Sequence, residues 1–338
     1  MTVPRVSTYT MWWLFRNCRK AVDWRYLKQL VPLARDRNLH FGSIIHECLK
    51  AWHERRDLAE VRDLIDRLCA NRLQDEGQRR DWHLATAMMT AYAKRYAADD
   101  IEAVALERGF EGPIVNPATG AASRSFVLAG KVDGVIRIGG EYFILEHKTA
   151  AQVDGDYLEK LWTDFRITIY AHYIEQTMGI PITGILYNVL VKAKLQQGKG
   201  ETEEEFQERR AELLAKSKTG KTTAKRKQPE SDEDFQQRMA EKYADPSMFH
   251  REMLYLSRDR FDILRSELWE LTQAFLDARR RGVFYQNTAF CFNYQRPCAY
   301  FALCRSNGNP NLIDNFYQHV APNEELRVLP NETTEPAF

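Results

Sequence analysis

Two carboxylates and a lysine stand where a β-hairpin would bring them onto one face of a sheet. Asp133 precedes the pair Gly139-Gly140, and Glu146 and Lys148 follow it on the next predicted strand. Adjacent glycines accept the positive backbone dihedrals of a tight two-residue hairpin turn. A turn on these glycines puts Asp133 directly opposite Glu146 and Lys131 opposite Lys148, whereas a turn of another length would shift this register.

This predicted cluster has the chemistry of a divalent-cation site. Opposed residues of a sheet have β-carbons about 4.5–5.5 Å apart, and like charges there are destabilising unless something lies between them. Carboxylate oxygens favour Mg²⁺ or Mn²⁺, and the ammonium of Lys148 would orient or help deprotonate a water, or stabilise charge on a phosphate. The alternative is a surface hairpin with an ordinary charge ladder. His147, between Glu146 and Lys148, points to the other face.

Hydrophobic periodicity predicts helices on both sides of a central group of strands. The predicted helices are 43–56, a helical block at 58–97, an amphipathic helix at 157–178 and a long helix at 251–281, and the predicted strands are 102–110, 126–138, 142–148 and 183–191. The buried stripe of the amphipathic helix would consist of Leu158, Leu161, Trp162, Phe165 and Ile169.

The chain divides into five predicted segments. They are a basic segment with helices (1–100), a core of strands (101–195), a charged insertion (196–250), a helix followed by a cysteine cluster (251–305), and a tail (306–338) that would be frayed from Pro322. In the insertion, TEEEFQERRAE (202–212) is echoed by SDEDFQQRMAE (231–241), each opening with a capping-box-like pair. We interpret it as a helical hairpin with a mobile tip; DNA contact through its basic linker or docking of a partner are the alternatives.

Composition narrows the classes of function. The 338 residues are 44% hydrophobic and can bury a sizeable core, and 48 basic against 47 acidic side chains leave a formal charge of +1, so a polyanion would need a local basic patch. Residues 1–40 offer one, with Arg16 and Arg19 among aromatic side chains, although a solvated helix face would look the same. No apolar stretch approaches the roughly 18 residues of a membrane span and no signal peptide is evident, so we expect a cytoplasmic protein of a bacterial or phage-infected host cell.

Several motifs, in their order along the chain, resemble one nuclease family. GKVDGVI (130–136) and YFILEHKTA (142–150) are similar to motifs II and III of the PD-(D/E)XK nuclease superfamily in its RecB-like exonuclease branch. FGSIIHECLKAWHE (41–54) resembles that branch's G-x-x-x-H helix, ALERGF (105–110) the strand before motif II, and GILYNVLVKAK (184–194) the strand after the motif-bearing helix. The resemblance covers roughly residues 7–194. It implies an α/β fold with a restriction-endonuclease-like core, a central mixed sheet flanked by helices, and helical insertions.

The resemblance also implies roles for single residues. His46, Asp133, Glu146 and the backbone carbonyl of His147 would bind one or two Mg²⁺ or Mn²⁺ ions, and Lys148 would position the attacking water. His46 has a second interpretation, because on the predicted helix it lies about 100° from the centre of the apolar stripe. That position also suits a half-buried histidine without a catalytic duty.

The helix after motif III departs from the family pattern. The RecB-like branch has Q-x-x-x-Y here, whereas this chain has Arg166 and Tyr170. Four-residue spacing keeps both side chains on one helix face, where they could clamp a DNA strand. Arginine would contact phosphate as a charged fork rather than through an amide. Tyr170 could equally be an aromatic residue at the boundary of the core.

Four cysteines lie far apart in the sequence. Cys18 is in the basic segment, and Cys291, Cys298 and Cys304 have six and five residues between them, which does not fit the close pairs of structural zinc sites. One cysteine near the start and three near the end resemble the 4Fe-4S staple of RecB-like nucleases, which pins the N-terminal segment against the C-terminal one. Zinc and simple buried thiols are the alternatives. Cys48 and Cys69 fall in helical segments and are expected in the core.

The sequence therefore predicts a metal-dependent DNA exonuclease that hydrolyses phosphodiester bonds from linear ends and carries a structural iron–sulfur cluster. The competing hypotheses are an endonuclease or structure-specific nuclease, a non-catalytic DNA-binding subunit of a recombination complex, and a zinc-stabilised interaction protein. Similar nucleases in phages often work beside a strand-annealing protein, and others act in CRISPR adaptation or double-strand-break repair. The resemblance thus implies DNA and a strand-annealing or recombination protein as partners.

Overall fold

A mixed sheet with helices on its faces forms the centre of the molecule. A computed structural model of the chain describes residues 5–34, 37–217, 219–293, 296–323 and 326. Its elements are, in chain order, β1 (Val6–Ser7), α1 (Tyr9–Asn17), α2 (Arg19–Val22), β2 (Leu30–Pro32), α3 (Arg37–Arg55), α4 (Leu58–Leu68), α5 (Glu76–Arg95), β3 (Glu102–Val115), β4 (Ala122–Ile138), β5 (Glu141–Ala150), α6 (Gly155–Leu161), α7 (Phe165–Met178), β6 (Ile182–Val191), α8 (Glu203–Lys216), α9 (Asp232–Tyr243), β7 (Phe249–Tyr255), α10 (Asp259–Arg281), β8 (Phe292–Asn293), β9 (Arg296–Pro297), α11 (Phe301–Arg305), α12 (Pro310–Phe316) and β10 (Tyr317–His319).

The central sheet combines antiparallel and parallel pairs. Its strands run in the order β3-β4-β5-β6-β7, and β1 pairs in parallel with the N-terminal half of β4. β5 and β6 are parallel and are joined through α6 and α7, while the remaining neighbours are antiparallel. A parallel pair needs such a crossover, and here it carries helices onto one face of the sheet. The predicted α/β fold with a central mixed sheet is confirmed.

The hairpin between β4 and β5 has the predicted turn. Gly139 and Gly140 have φ angles of 58° and 89°, which only glycine adopts readily, and Ile138 pairs with Glu141. The ladder continues to Gly134 opposite Leu145. Side chains therefore alternate along both strands as predicted, as far as Gly134, the residue next to Asp133.

Most predicted elements are confirmed, but two helix predictions are wrong. The helix predicted at 157–178 is two helices, because Asp164 accepts the backbone N–H of Arg166 and begins α7 as its N-cap. Trp162 lies in the break and is 38% exposed, so it does not belong to the buried stripe. The helix predicted from Arg251 begins at Asp259, and the preceding residues form β7, the antiparallel neighbour of β6. None of the described helices is both long enough and apolar enough to cross a bilayer.

Two large cores lie beside the sheet. The first fills the space between the sheet and α1, α7 and α10, with Trp12, Phe126 and Phe275 in mutual edge contact. The second joins α3, α4, α5 and α9 and includes Cys48 and Cys69, which are fully buried as predicted. The first core fixes α7, and the second fixes α3, which carries His46, so each supports one side of the candidate site.

The charged insertion contains the two predicted helices. Thr202 and Glu205 form a complete capping box at the start of α8, and Ser231 accepts the backbone N–H of Asp234 at the start of α9. The two helices differ in burial, because none of the described side chains of α8 is buried, whereas α9 buries Phe235, Met239 and Tyr243 against α5.

The two ends of the described chain pack together. β2 pairs antiparallel with β10, and a small third core joins residues of both ends, namely Cys18, Ala21, Trp24, Leu30, Tyr300, Leu303 and Tyr317. The side-chain amide of Asn323 donates to the carbonyl of Val6. Most of the end that was predicted to be frayed, beyond Pro322, lies outside the described residues.

Candidate active site

The end of the β4–β5 hairpin brings the predicted carboxylates together with His46. Asp133 lies on β4 one residue beyond the last ladder pair, and Glu146 and Lys148 lie on β5. α3 packs against β5 and presents His46 to Asp133, with Nδ1 3.3 Å from Oδ1. Three separate elements therefore supply the side chains that the sequence placed in one cluster.

Asp133 is held by two donors. Its Oδ2 accepts the backbone N–H of His147 at 2.7 Å, and its Oδ1 faces His46. Burial alone would raise the pKa of Asp133, but the hydrogen bond and charge of His46 hold the pKa of that carboxyl well below its usual range. Burial lowers the pKa of His46, and Asp133 more than compensates, so the pKa of His46 is raised. Protonation of His46 and ionisation of Asp133 therefore favour each other.

Glu146 is nearly buried and is neutralised by two cations. Its side chain is 6% exposed, and its Oε1 contacts both the ammonium of Lys148 and the guanidinium of Arg166, the latter at 2.9 Å. A buried carboxylate stays ionised only when it is paired in this way. Two fixed cations therefore surround the carboxylate of Glu146.

Arg166 is clamped on several sides. Besides Glu146, it contacts Asp164 through Nε at 3.7 Å, and its guanidinium carbon lies 4.8 Å from the centre of the Tyr9 ring. Tyr187 donates to Asp164 at 3.0 Å and fixes that carboxylate in turn. Burial lowers the pKa of Arg166, but the charges of Glu146 and Asp164 raise it by more than burial lowers it. The pKa is therefore raised overall and the guanidinium remains charged.

His147 points to the opposite face, as predicted, into a buried polar network. Asn188 contacts His147 Nδ1 at 2.9 Å and donates to the Tyr92 hydroxyl, which also contacts His53 Nε2 at 3.3 Å and Arg251. Burial lowers the pKa of His147 well below its usual value and that of His53 to about 3, and it raises that of Tyr92 to about 12. The network holds the backbone around His147 in place.

The other predicted DNA-contacting residues lie on several different elements of the fold. Tyr170 follows Arg166 on α7 and packs edge-on against Phe110 at 5.7 Å between ring centres. Lys131 forms an ion pair with Glu107 on β3. Arg16 and Arg19 lie on α1 and α2, outside the carboxylate cluster.

Arg16 and Arg19 line grooves that lead away from the cluster. One groove of about 950 Å³ runs between α1 and α6 and is lined by residues that include Tyr9, Trp13, Arg16, Asp154, Lys160 and Phe165. A second, of about 550 Å³, continues between α1 and α10 to Cys18. Arg16 lines both and lies 4.8 Å from the Phe165 ring, while Arg19 lies between the rings of Phe15 and Tyr285.

The donor set at the carboxylate cluster fits a hard divalent cation. Two carboxylates and the carbonyl of His147 are oxygen ligands of the kind that Mg²⁺ and Mn²⁺ prefer. The 3.3 Å between His46 Nδ1 and Asp133 Oδ1 is close to the separation of about 3 Å between neighbouring ligands of an octahedral ion. Among the described side chains, no three of His, Cys, Asp or Glu already have the arrangement of an assembled metal site. In this structure Asp133 is instead paired with His46, and Glu146 with Lys148 and Arg166.

The four distant cysteines line one small pocket. Cys18, Cys291, Cys298 and Cys304 all contribute to it, and all are free thiols. Three of the sulfurs accept N–H hydrogen bonds: Cys304 from the Trp24 indole at 3.3 Å, and Cys18 and Cys298 from the backbone of Asn287 and Tyr300 at 3.5 Å. Burial raises the pKa of Cys298 and Cys304, and the neighbouring sulfurs raise it further. Four ionised thiols would repel each other here unless a positive centre lay between them.

Several residues of the site were missed in the sequence. Asp164, Tyr9 and Asn188 contact predicted site residues, but none of the three was predicted to be part of the site. Asp164 had a usable signal, since an aspartate two residues before Arg166 suits a helix N-cap. Nothing in the spacing of Tyr9 indicates that its ring covers Arg166.

Comparison with known proteins gives one family match. The sequence pattern of the PD-(D/E)XK nuclease superfamily matches residues 9–305. Among solved structures, the protein SSO0001 is 11% identical, with a TM-score of 0.37, covering 90% of this chain and 88% of its own. A protein from Eubacterium rectale described as a putative exonuclease is 7% identical, with a TM-score of 0.41, covering 88% of this chain and 92% of its own. No curated protein is significantly similar to this chain.

Proposed function

This chain belongs to the PD-(D/E)XK nuclease superfamily, whose members typically use Mg²⁺ or Mn²⁺, and on that premise we propose that it is a metal-dependent DNA exonuclease acting on linear ends. The observation that carries the proposal is the meeting of Asp133, Glu146 and Lys148 with His46 at the end of one hairpin. The resemblance of residues 7–194 to the RecB-like branch supports action on ends. We place the reaction in DNA recombination, repair or phage DNA processing, where a strand-annealing protein would take up the single strand that is left.

Each residue of the cluster has a proposed role. His46, Asp133, Glu146 and the carbonyl of His147 would hold the ion. When bound, Mg²⁺ or Mn²⁺ lowers the pKa of water and stabilises charge on a phosphoryl group. Lys148 would hold the attacking water in line with the scissile bond. As the bond between the water oxygen and phosphorus forms, the bond from phosphorus to the leaving 3′ oxygen breaks.

The DNA strand would follow the grooves beside α1. Arg16, which also pairs with Glu267 at 3.8 Å, and Arg19 supply positive charge there, and exposed Trp13 supplies an aromatic face on which a base can stack. Tyr170 on α7 and Lys131 on β4 would contact the strand nearer the cleavage point. Because phosphate contacts release counterions, this binding should weaken as the salt concentration rises.

We also propose that the cysteine pocket holds a 4Fe-4S cluster. Four thiols from both ends of the chain line the pocket, and hydrogen bonds from N–H groups to sulfur are a usual feature around such clusters. The cluster would be structural, because it lies against the third core and not at the carboxylates.

End-labelled linear DNA and covalently closed circular DNA provide the decisive substrates. Protein purified without oxygen is incubated with each in Mg²⁺, Mn²⁺ or EDTA. We expect metal-dependent loss of the linear DNA alone, and a loss of rate of at least about 100-fold in Lys148→Ala. The control is Lys199→Ala, since Lys199 is exposed and distant in sequence from the site.

The other outcomes identify the competing functions. Cutting of the closed circle would show an endonuclease. Binding of DNA without cleavage in any metal would show a non-catalytic subunit, and either result would contradict the proposed exonuclease.

A further inference from the structure

Two protein cations converge on one oxygen of Glu146. Lys148 and Arg166 both contact Oε1, and the Arg166 contact is 2.9 Å long. Both cationic contacts described for Glu146 use this oxygen, so Oε2 would be the oxygen that remains for a metal ion. One side of the carboxylate is therefore already occupied by fixed positive charge.

The guanidinium of Arg166 is held in place before any substrate arrives. Asp164 flanks Nε at 3.7 Å, and Tyr9 covers the guanidinium from above at 4.8 Å. Asp164 cannot easily turn away, because it caps α7 through the backbone N–H of Arg166 and accepts the hydroxyl of Tyr187. A pre-organised cation loses little freedom when it binds a phosphate.

The charges of the cluster favour a single divalent ion. Asp133, Glu146 and Asp164 carry three negative charges, and Lys148 and Arg166 carry two positive charges. With a neutral histidine ligand, as metal binding requires, the cluster has one net negative charge. One divalent ion changes this to one positive charge, whereas two ions would leave three positive charges in a largely buried space.

We propose that Arg166 takes the place of a second metal ion, so that the site binds one Mg²⁺ or Mn²⁺ and the guanidinium supplies the second positive centre for the phosphate. The inference rests on the proposed nuclease function. In two-metal nucleases the ions lie about 3.5–4 Å apart and share a carboxylate. Arg166 contacts one oxygen of Glu146, where it would compete with a second ion for that carboxylate, and a guanidinium matches two phosphate oxygens as a fork.

The test counts bound Mn²⁺ by isothermal titration calorimetry and by electron paramagnetic resonance of free and bound ion. We expect one ion per chain in the wild type. Arg166→Gln removes one of the two cations at Oε1 of Glu146, where Lys148 remains, and releases the carboxylate of Asp164 from the guanidinium, and it should bind two. Arg166→Lys keeps a cation there and should bind one.

Two further variants locate the added ion. Arg166→Gln combined with Asp164→Asn removes a carboxylate that the second ion would need, and it should return to one ion. Arg16→Gln removes an arginine of the neighbouring groove and should also bind one. Circular dichroism of each variant verifies the fold, and the Hill coefficient of Mn²⁺ activation should rise from about one in the wild type towards two in Arg166→Gln.

Failure of this inference differs from failure of the nuclease proposal. Two ions in the wild type, or one ion in both the wild type and Arg166→Gln, would overturn the role of Arg166 and leave metal-dependent cleavage intact. No bound ion in any variant, together with no cleavage of linear DNA, would overturn both.

Discussion

At the scale of single residues, the two neutral histidines behind the site couple folding to pH. His53 and His147 stack with ring centres 5.5 Å apart, and both are buried. Arg251 and Arg56 add positive charge near His53, so burial and like charge both disfavour its protonation. The polar network that supports the backbone of His147 therefore requires uncharged imidazoles.

The pH dependence of stability follows from this requirement. The pKa of His53 is about 3 in the folded chain and about 6.5 in an unfolded one, so between these values the unfolded state binds more protons. The free energy of unfolding should fall with decreasing pH below about 6.5, by up to about 1.4 kcal/mol per pH unit for each such histidine. The raised pKa of His46 has the opposite sign, and its stabilisation is lost as the pH rises above about 6.5.

His53→Gln isolates the contribution of one residue. Glutamine can keep a hydrogen bond to the Tyr92 hydroxyl but cannot titrate. Urea unfolding of the variant and the wild type at pH 5.0, 5.5 and 6.0 should show a slope smaller by about one proton in the variant. Equal slopes would mean that His53 is not a neutral buried histidine in the folded state.

Single residues differ in how far the sequence predicted them. Asp133, Glu146 and Lys148 were predictable because two glycines fix the turn, and the turn fixes which side chains share a face. Arg166 was predicted on the correct helix, but its contact with Glu146 was not, because that contact depends on where α7 begins. The start of α7 at Asp164 interrupts a pattern that is periodic on both sides of the break.

At the scale of elements, the pairing of β6 with β7 depends on Gly184. A β-carbon at this position would lie 2.2 Å from the backbone oxygen of Leu254 and 3.2 Å from the Cα of Tyr255. These are backbone atoms of the paired strand, so they cannot move aside without breaking the ladder. The close approach explains why a glycine stands at the start of a strand of large side chains.

Gly184→Ala should therefore lower the free energy of unfolding by about 1–3 kcal/mol, because it forces the two strands apart. The measurement is the midpoint of urea unfolding at constant pH. Gly155→Ala is the matched control, since a β-carbon there meets nothing within 4 Å and alanine favours the first turn of α6. A neutral Gly184→Ala would show that β7 does not pair as described.

β7 itself shows the limit of local patterns. Its residues from Arg251 onward were predicted to belong to the helix that follows, and the alternation along FHREMLY is weak, with most side chains only partly buried. The strand forms because β6 offers an open edge, and that edge belongs to a distant part of the chain. The end of helix α10 at Arg281 was predictable, since a glycine directly after it, Gly282, is a local stop signal.

At the scale of the whole molecule, the chain closes on itself. β2 pairs with β10, β1 pairs with β4 within the central sheet, and Cys18 lies in one pocket with cysteines from the other end. A link between residues so far apart in sequence restricts the unfolded chain more than a short loop does. A cluster in this pocket would thus stabilise the position of α1, which also lines the grooves beside the candidate site.

Removal of one thiol tests this role of the pocket. Cys298→Ser should lose the brown colour, iron and acid-labile sulfide of protein purified without oxygen. The melting temperature should fall, by an amount corresponding to a few kcal/mol, since the loss resembles that of a long-range cross-link. Limited proteolysis should then cut near both ends of the chain first, because the two ends share the third core.

Cys48→Ala provides the comparison that separates a cluster from ordinary packing. Cys48 is also a buried thiol, but it lies in the second core beside Cys69, so its loss should lower stability without a change in iron content. If α1 depends on the cluster, salt-sensitive DNA binding should weaken in Cys298→Ser and persist in Cys48→Ala. Colourless wild-type protein that contains zinc, or equal iron content in the wild type and Cys298→Ser, would contradict the cluster, and the link between the two chain ends would then rest on strand pairing and apolar contacts alone.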